Sequence, residues 1–219
     1  MRGATRSSPA RGRPRRGAYH HGRLREALIA GAIDLLSTRG TQGLTLREAA
    51  RKAGVSHSAP YRHFANKESL LAAVSEDGFR RLIDAGITAA AGERDPARKL
   101  RVVGISYVRF AAENPALFRL MFGAEVSGER HPSLREQARR GFSLLGSAVA
   151  EAQAAGVLRA GSPVELAMPI WVLAHGLAML TIDRQVPAEL REQVAIEPLA
   201  DWLMSVLLAG LDAGGRFTH

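Results

Sequence analysis

Between positions 45 and 67 the chain gathers Thr45, Arg47, His57, Ser58, Tyr61, Arg62, His63 and Lys67, side chains that exchange hydrogen bonds or carry positive charge. Such types suit phosphate oxygens and the edges of base pairs. They do not suit bond-breaking. Catalysis needs a nucleophile with its base and orienter, or a carboxylate pair in a cleft. Ser106, Tyr107 and Glu113 are scattered, and no phosphate-cradling glycine loop follows a strand. The chain therefore reads as a binding protein and not an enzyme, with no cofactor. His20-His21 and His57/His63 raise the question of a metal, but no spacing sets a third ligand beside either pair, so none is expected. His57 and His63 are assigned to hydrogen bonding with DNA.

The elements that must present these groups can be read around them. Thr45 and Glu48 form a T-x-x-E capping box that opens a helix, with Leu46, Ala49 and Ala50 as its small apolar face. Gly54 suits the left-handed residue that closes it, and Val55 plugs the angle to the next element. Ser56 is the following N-cap, predicting a second helix through His57, Ser58, Ala59, Tyr61, Arg62 and His63 to Phe64. Two helices this close read as a helix-turn-helix whose second helix enters the major groove. Pro60 lies four residues past the cap, which predicts a short or deformed recognition helix. A preceding helix runs from about Arg23 to Arg39 on Leu24, Leu28, Ala32, Leu35 and Leu36, and Gly40 ends it. Asn66 caps a long helix to about Ala91.

Charge separates the chain into two parts. Residues 1–70 hold 14 Lys/Arg against 4 Asp/Glu, whereas 71–219 hold 16 against 17, so the net charge of +9 lies in the first third. A polyanion partner is met there. A membrane surface would attract the same charge, but the basic segment lacks the large apolar residues of an interfacial helix. No cysteine occurs, which fits a reducing cytoplasm. Residues 1–18 are rich in Arg, Gly, Pro and Ser; they read as a disordered basic arm, either a solubilising tail or an arm that lies along phosphates or in a minor groove. The organisation expected is arm 1–18, DNA-binding head 19–66, and a helical body 67–219.

The body shows helical stripes throughout, giving an all-α protein of about nine helices. The segment Leu166–Ile182 is uncharged and apolar all round, so it must be covered on every side. A transmembrane span fits poorly, given its length, Pro169 and His175. Met168, Trp171, His175, Met179 and Ile182 share one face. Ile170, Leu173, Leu177, Leu180 and Arg184 share the opposite one, assigned to a second copy of the chain together with Trp202, Val206 and Gly210 of the last helix. The result is an intersubunit four-helix bundle. His175 reads as a core histidine bonded to a carbonyl or as a polar group orienting a ligand. Tyr107, Phe110, Met121, Phe122, Met168, Trp171 and Met179 would line that ligand's pocket.

Ala32, Leu35, Leu36 and Gly40, the run Thr45-Leu46-Arg47-Glu48-Ala49-Ala50, Ala53-Gly54-Val55-Ser56, Tyr61-Arg62-His63-Phe64 and Asn66-Lys67-Glu68 together resemble the DNA-binding domain of the tetracycline-repressor (TetR) family. The resemblance implies phosphate contacts for Thr45, Tyr61 and Lys67, and places Ser58, Ala59 and Arg62 near bases. The Trp171…His175-Gly176 run and Asn114–Phe122 are similar to a Trp–His-Gly subclass of the family's C-terminal domains. That implies helices which dimerise and bind an inducer. The function expected is a cytoplasmic, homodimeric repressor, released from an inverted-repeat operator in double-stranded DNA by an apolar small molecule. The rivals are a helix-turn-helix protein governed by a protein partner and an architectural DNA binder.

Overall fold

The computed structural model of the chain describes residues 17–212, with side chains from Arg23 onward. Among them run α1 (Gly17–Arg39), α2 (Leu46–Lys52), a 3-10 turn (Ala59–Arg62), α3 (Lys67–Ala90), α4 (Pro96–Glu113), α5 (Pro115–Phe122), α6 (Pro132–Ala154), α7 (Pro163–Ile182), α8 (Ala188–Gln193) and α9 (Ile196–Gly210), with no strand. The helix starts follow ordinary capping chemistry. Thr45, Asp95 and Ser162 each accept a backbone N–H of the first turn. Asn66 and Ser69 exchange side-chain and backbone bonds in a full capping box. Proline opens α4, α5, α6 and α7, where its missing N–H costs nothing.

Two expectations are corrected here. α1 begins at Gly17, inside the stretch assigned to the arm; residues 1–16 lie outside the described residues. The short α8, AELREQ, buries no residue and so carries no apolar stripe by which it could be read. The recognition helix expected from Ser56 to Phe64 is instead the four-residue 3-10 turn. Proline explains it: Pro60 has no N–H to return to Ser56, so Ala59 N–H bonds the Ser56 carbonyl at 3.0 Å and His63 N–H bonds the Pro60 carbonyl at 2.9 Å. Both are the tighter three-residue bonds of a 3-10 turn.

The core does not stop where the head was expected to end. Leu28, Leu36, Leu44, Ala49, Phe64, Leu70 and Val74 belong to one buried cluster that continues into Leu117, Phe118 and Met121 of α5, then Val126 and Leu134. α3 is common to both parts, packing on α1 on one side and on α4, α5 and α6 elsewhere. Gly78 makes the α3–α5 approach possible, because a Cβ there would meet Met121 Sδ at 2.5 Å. A second cluster joins Leu100, Ile170, Met204 and Leu208, and a third joins Val108, Leu177, Leu199 and Ala200.

By length and composition α7 is the one helix among the described residues able to cross a membrane. It packs instead against α4, α6 and α9.

Candidate DNA-binding face, aromatic cluster and apolar stripe

The head presents its polar side chains outward on a rigid corner. Thr45 Oγ1 accepts the Glu48 N–H at 3.1 Å, half of the expected capping box. The returning half is absent because the Glu48 carboxylate is taken by Arg51 (2.6 Å) and Arg39 (3.3 Å). The Arg51 hydrogen bond, then the two charges, hold Glu48 below the ordinary carboxylate range. Lys52 pairs with Asp34 in the same way. Arg39–Glu48 and Lys52–Asp34 therefore stitch α1 and α2 together, while Arg51 braces Glu48 within α2. After α2, Gly54 takes φ +67, and Val55 N–H returns to Ala50 at 3.0 Å. The chain then enters the 3-10 turn with Pro60 buried and Tyr61 54 % exposed.

Thr45, Arg47, His57, Ser58, Tyr61 and Arg62 are all exposed, while Ala59 and His63 are half-buried. Among the described residues neither Arg47 nor Arg62 has an ion-pair partner, so both charges are available. Lys67 is half-buried and donates to the Thr41 carbonyl at 2.5 Å, tying the start of α3 to the α1–α2 turn. This corner is a surface of donors and free cations on short capped elements.

The expected pocket residues divide. Tyr107, Phe122, Trp171 and His175 do come together: the Tyr107 hydroxyl shares a hydrogen with His175 Nδ1 at 2.9 Å. Phe122 and Trp171 lie 4.7 and 5.4 Å from the imidazole, centroid to centroid. Two members were missed, Phe118 at 5.6 Å from His175 and Phe142 at 6.0 Å from Trp171. Phe118 sits one turn before Phe122, so the helical period of α5 could have found it. Met179 is half-buried beside the head-side core. Phe110 is buried, and Met121 turns to Gly78 on α3.

Met168 is corrected: at 44 % exposure it faces outward. Burial lowers the His175 pKa from its ordinary 6.5 and pushes the Tyr107 phenol up, against an opposing hydrogen bond from Trp171. The cluster is thus a neutral hydrogen-bonded pair in an aromatic cage. Among the described residues no three His, Asp or Glu side chains converge as metal ligands.

The residues expected at a partner subunit also divide. Ile170 (2 % exposed) and Leu177 (7 %) are covered by the chain's own α4 and α9, so their assignment is overturned. Leu173 is half-buried against the core of Leu100 and Met204. Leu180, Trp202, Val206 and Gly210 are exposed. Val164, Met168 and Val172 are exposed as well and, four residues apart, make an apolar stripe along α7, which packs beside α9.

Residues 28–74 match the model of bacterial regulatory proteins of the tetR family. Residues 100–207 match the model described as tetracyclin repressor-like, C-terminal domain. The chain belongs to the tetracycline-repressor family. A protein of unknown function from Rhodococcus sp. RHA1 has 31 % identity to this family member and a TM-score of 0.78, over 90 % of this chain and 99 % of that one. Among curated relatives, the nucleoid occlusion factor SlmA of Photobacterium profundum is 35 % identical over 113 residues, 49 % of this chain and 55 % of the relative. The class C tetracycline repressor protein of Escherichia coli is 48 % identical over 52 residues, 24 % of each chain. The chain spans about half the length of the first curated relatives it matches.

Proposed function

We propose that this TetR-family chain is a sequence-specific transcriptional repressor that binds an inverted repeat as a homodimer. The observation that carries the reading is the exposed corner of Thr45, Arg47, His57, Ser58, Tyr61 and Arg62, with unpaired arginines on a braced scaffold. Arg62, Ser58 and Ala59 face base edges; Thr45, Tyr61 and Lys67 take phosphates. The basic residues of 1–16 add contacts along the backbone. Two copies associate through the α7–α9 stripe. Trp202, Val206, Val172, Met168 and Leu180 are each about half exposed, so covering what remains of each contributes roughly half of the ~1.5–3 kcal/mol of a full burial. An exposed apolar patch of this kind on a soluble chain marks an association surface.

An apolar effector with one polar group enters the cage of Tyr107, Phe118, Phe122, Phe142 and Trp171, bonds His175 and lowers DNA affinity. Coupling is reciprocal, so DNA weakens effector binding by the same factor. Trp171, His175 and Gly176 form the signature of the Trp–His-Gly subclass in this reading. Selection of bound DNA from a random pool tests the function: an inverted repeat with half-site centres about one turn, roughly 34–36 Å, apart is expected. Recovery of sequences without two-fold symmetry sinks it.

A second reading is favoured by one observation, the tight packing of the rings around His175. On it the chain binds DNA without a small-molecule effector, governed by a partner protein or acting architecturally. A curated relative described as a nucleoid occlusion factor is compatible with that alternative.

A further inference from the structure

α6 begins against the head and passes the aromatic cage on its way out. Just before its first turn, Arg130 Nη2 lies 2.9 Å from Glu68 Oε1, and His131 Nε2 lies 3.4 Å from the same oxygen. Glu68 is the second residue of α3 and follows Lys67 directly. In the first turn of α6, Ser133 Oγ donates to Glu76 of α3, whose other oxygen faces Arg25 of α1 at 3.9 Å. Val126 and Leu134, on either side of these polar contacts, are 8 % and 5 % exposed within the core cluster that holds Phe64, Leu70 and Leu71. Farther along, α6 rests on α3 at Gly141 and Ile83 and carries Phe142 to Trp171.

We infer that the entry to α6 is a latch: Arg130 and His131 on Glu68, with Ser133 on Glu76, position the DNA-binding head at a fixed angle to the body. The geometry favours this over a plain surface ion pair. An isolated exposed pair is worth little, but Glu68 serves two partners, the two carboxylates lie two turns apart on one helix, and buried apolar anchors flank them. A head held at two points cannot pivot about the start of α3. Because α6 is a continuous helix from the latch to Phe142, displacement of the cage rings has a rigid path to the residue beside Lys67. For its consequence on DNA the inference rests on the dimeric repressor reading. In a dimer the angle of each head sets the distance between recognition turns, and so the half-site spacing accepted. Arg130 and Glu68 are positioning residues, since neither is assigned to a base or a phosphate.

The test uses the absence of native cysteine. Spin labels at Gln42→Cys in the head and Glu189→Cys on α8, in full-length chain diluted with unlabelled chain, report the head-to-body distance by electron–electron resonance. A single narrow distribution is expected. Arg130→Ala with His131→Ala should broaden it, Glu68→Gln should broaden it alike, and Arg130→Lys should keep it narrow at unchanged helical circular dichroism. Equal widths in all variants overturn the latch. Broadening by Arg130→Lys equal to that of the alanine pair overturns its electrostatic basis.

On the selected DNA site, the alanine pair should lose about two- to fivefold of the preference for the native spacing over one changed by a base pair. If affinity instead falls on all DNA alike, with a salt slope smaller by about 0.9, Arg130 is a phosphate contact and the inference is wrong. If no inverted repeat is recovered, the repressor reading fails while the label distances still decide the latch.

Discussion

The turn between α2 and α3 and the helix α7 teach opposite lessons about how residues reach a surface. The first is assembled from short polar pieces. Thr45 caps α2, Gly54 turns the chain, Pro60 forbids a full helical turn, and exposure of Tyr61 and Arg62 follows. α7 has almost no polar markers. Its caps define where it starts, but in the segment Leu166–Ile182 only His175, bonded to Tyr107, marks a rotation about its own axis. Its outward side and the side in the chain's own core are both apolar. Where polar residues are sparse, neighbouring helices set the rotation, and here α4 and α9 claim Ile170 and Leu177.

The sharpest way to break this comparison is to poison the stripe. Val172→Glu with Val206→Glu should convert the dimer to a monomer in sedimentation. Affinity for the inverted repeat should drop by at least about 100-fold, because two linked sites become independent and avidity disappears. Ile170→Ala probes the face two residues away on α7. It should destabilise the fold by about 2–5 kcal/mol in denaturant titration and leave subunit dissociation under native conditions unchanged. Equal effects of both changes on dissociation would mean that α7 has been phased wrongly.

On the head, Arg62→Ala should cost about 1–3 kcal/mol at one base position and relax preference there only. Deleting residues 1–16, which leaves α1 to begin at Gly17, should weaken binding to all sequences. The slope of log K against log salt should fall by about 0.9 for each phosphate that the shortened chain no longer neutralises; an unchanged slope would make the segment a tail.

The smallest effect concerns His175. Burial lowers its folded pKa below the ordinary 6.5, so the unfolded chain binds the proton first as pH falls. The neutral imidazole's contribution is complete above the unfolded value and is lost as pH drops through the folded one. Stability should therefore decline more steeply below about pH 6 in the native chain than in His175→Phe, compared by thermal melts across pH.

These two regions also mark how much could be read from residues alone. The all-α architecture, the caps at Thr45 and Asn66, the left-handed Gly54 and the exposed chemistry of the head were legible, because capping and turn residues act locally. Pro60 signalled a deformed recognition element but not its contraction to a four-residue 3-10 turn. Tyr107, Phe122, Trp171 and His175 could be grouped, since helical period and residue type suffice for them. Phe142 could not, because its approach to Trp171 depends on where α6 lies. Met168 was drawn into the pocket by its i, i+3 spacing to Trp171, although that spacing also serves an outward face.

The unbroken core from Leu28 through Leu71 to Phe118 and Leu134 has a practical consequence for building hybrid regulators. The head is not a portable module. A junction at Asn66 would part Leu28, Leu36 and Leu44 of the head from Leu70, Leu71 and Val74 of α3, with which they share one core. The natural seam is the turn at Gly92, after α3 has finished serving both parts. A graft cut there carries α3 with the head but must still rebuild what α5 and the entry to α6 supply. A donor body is therefore best chosen by whether its own α5 leaves room for the side chain-free position 78, before any attention is given to the ligand it recognises.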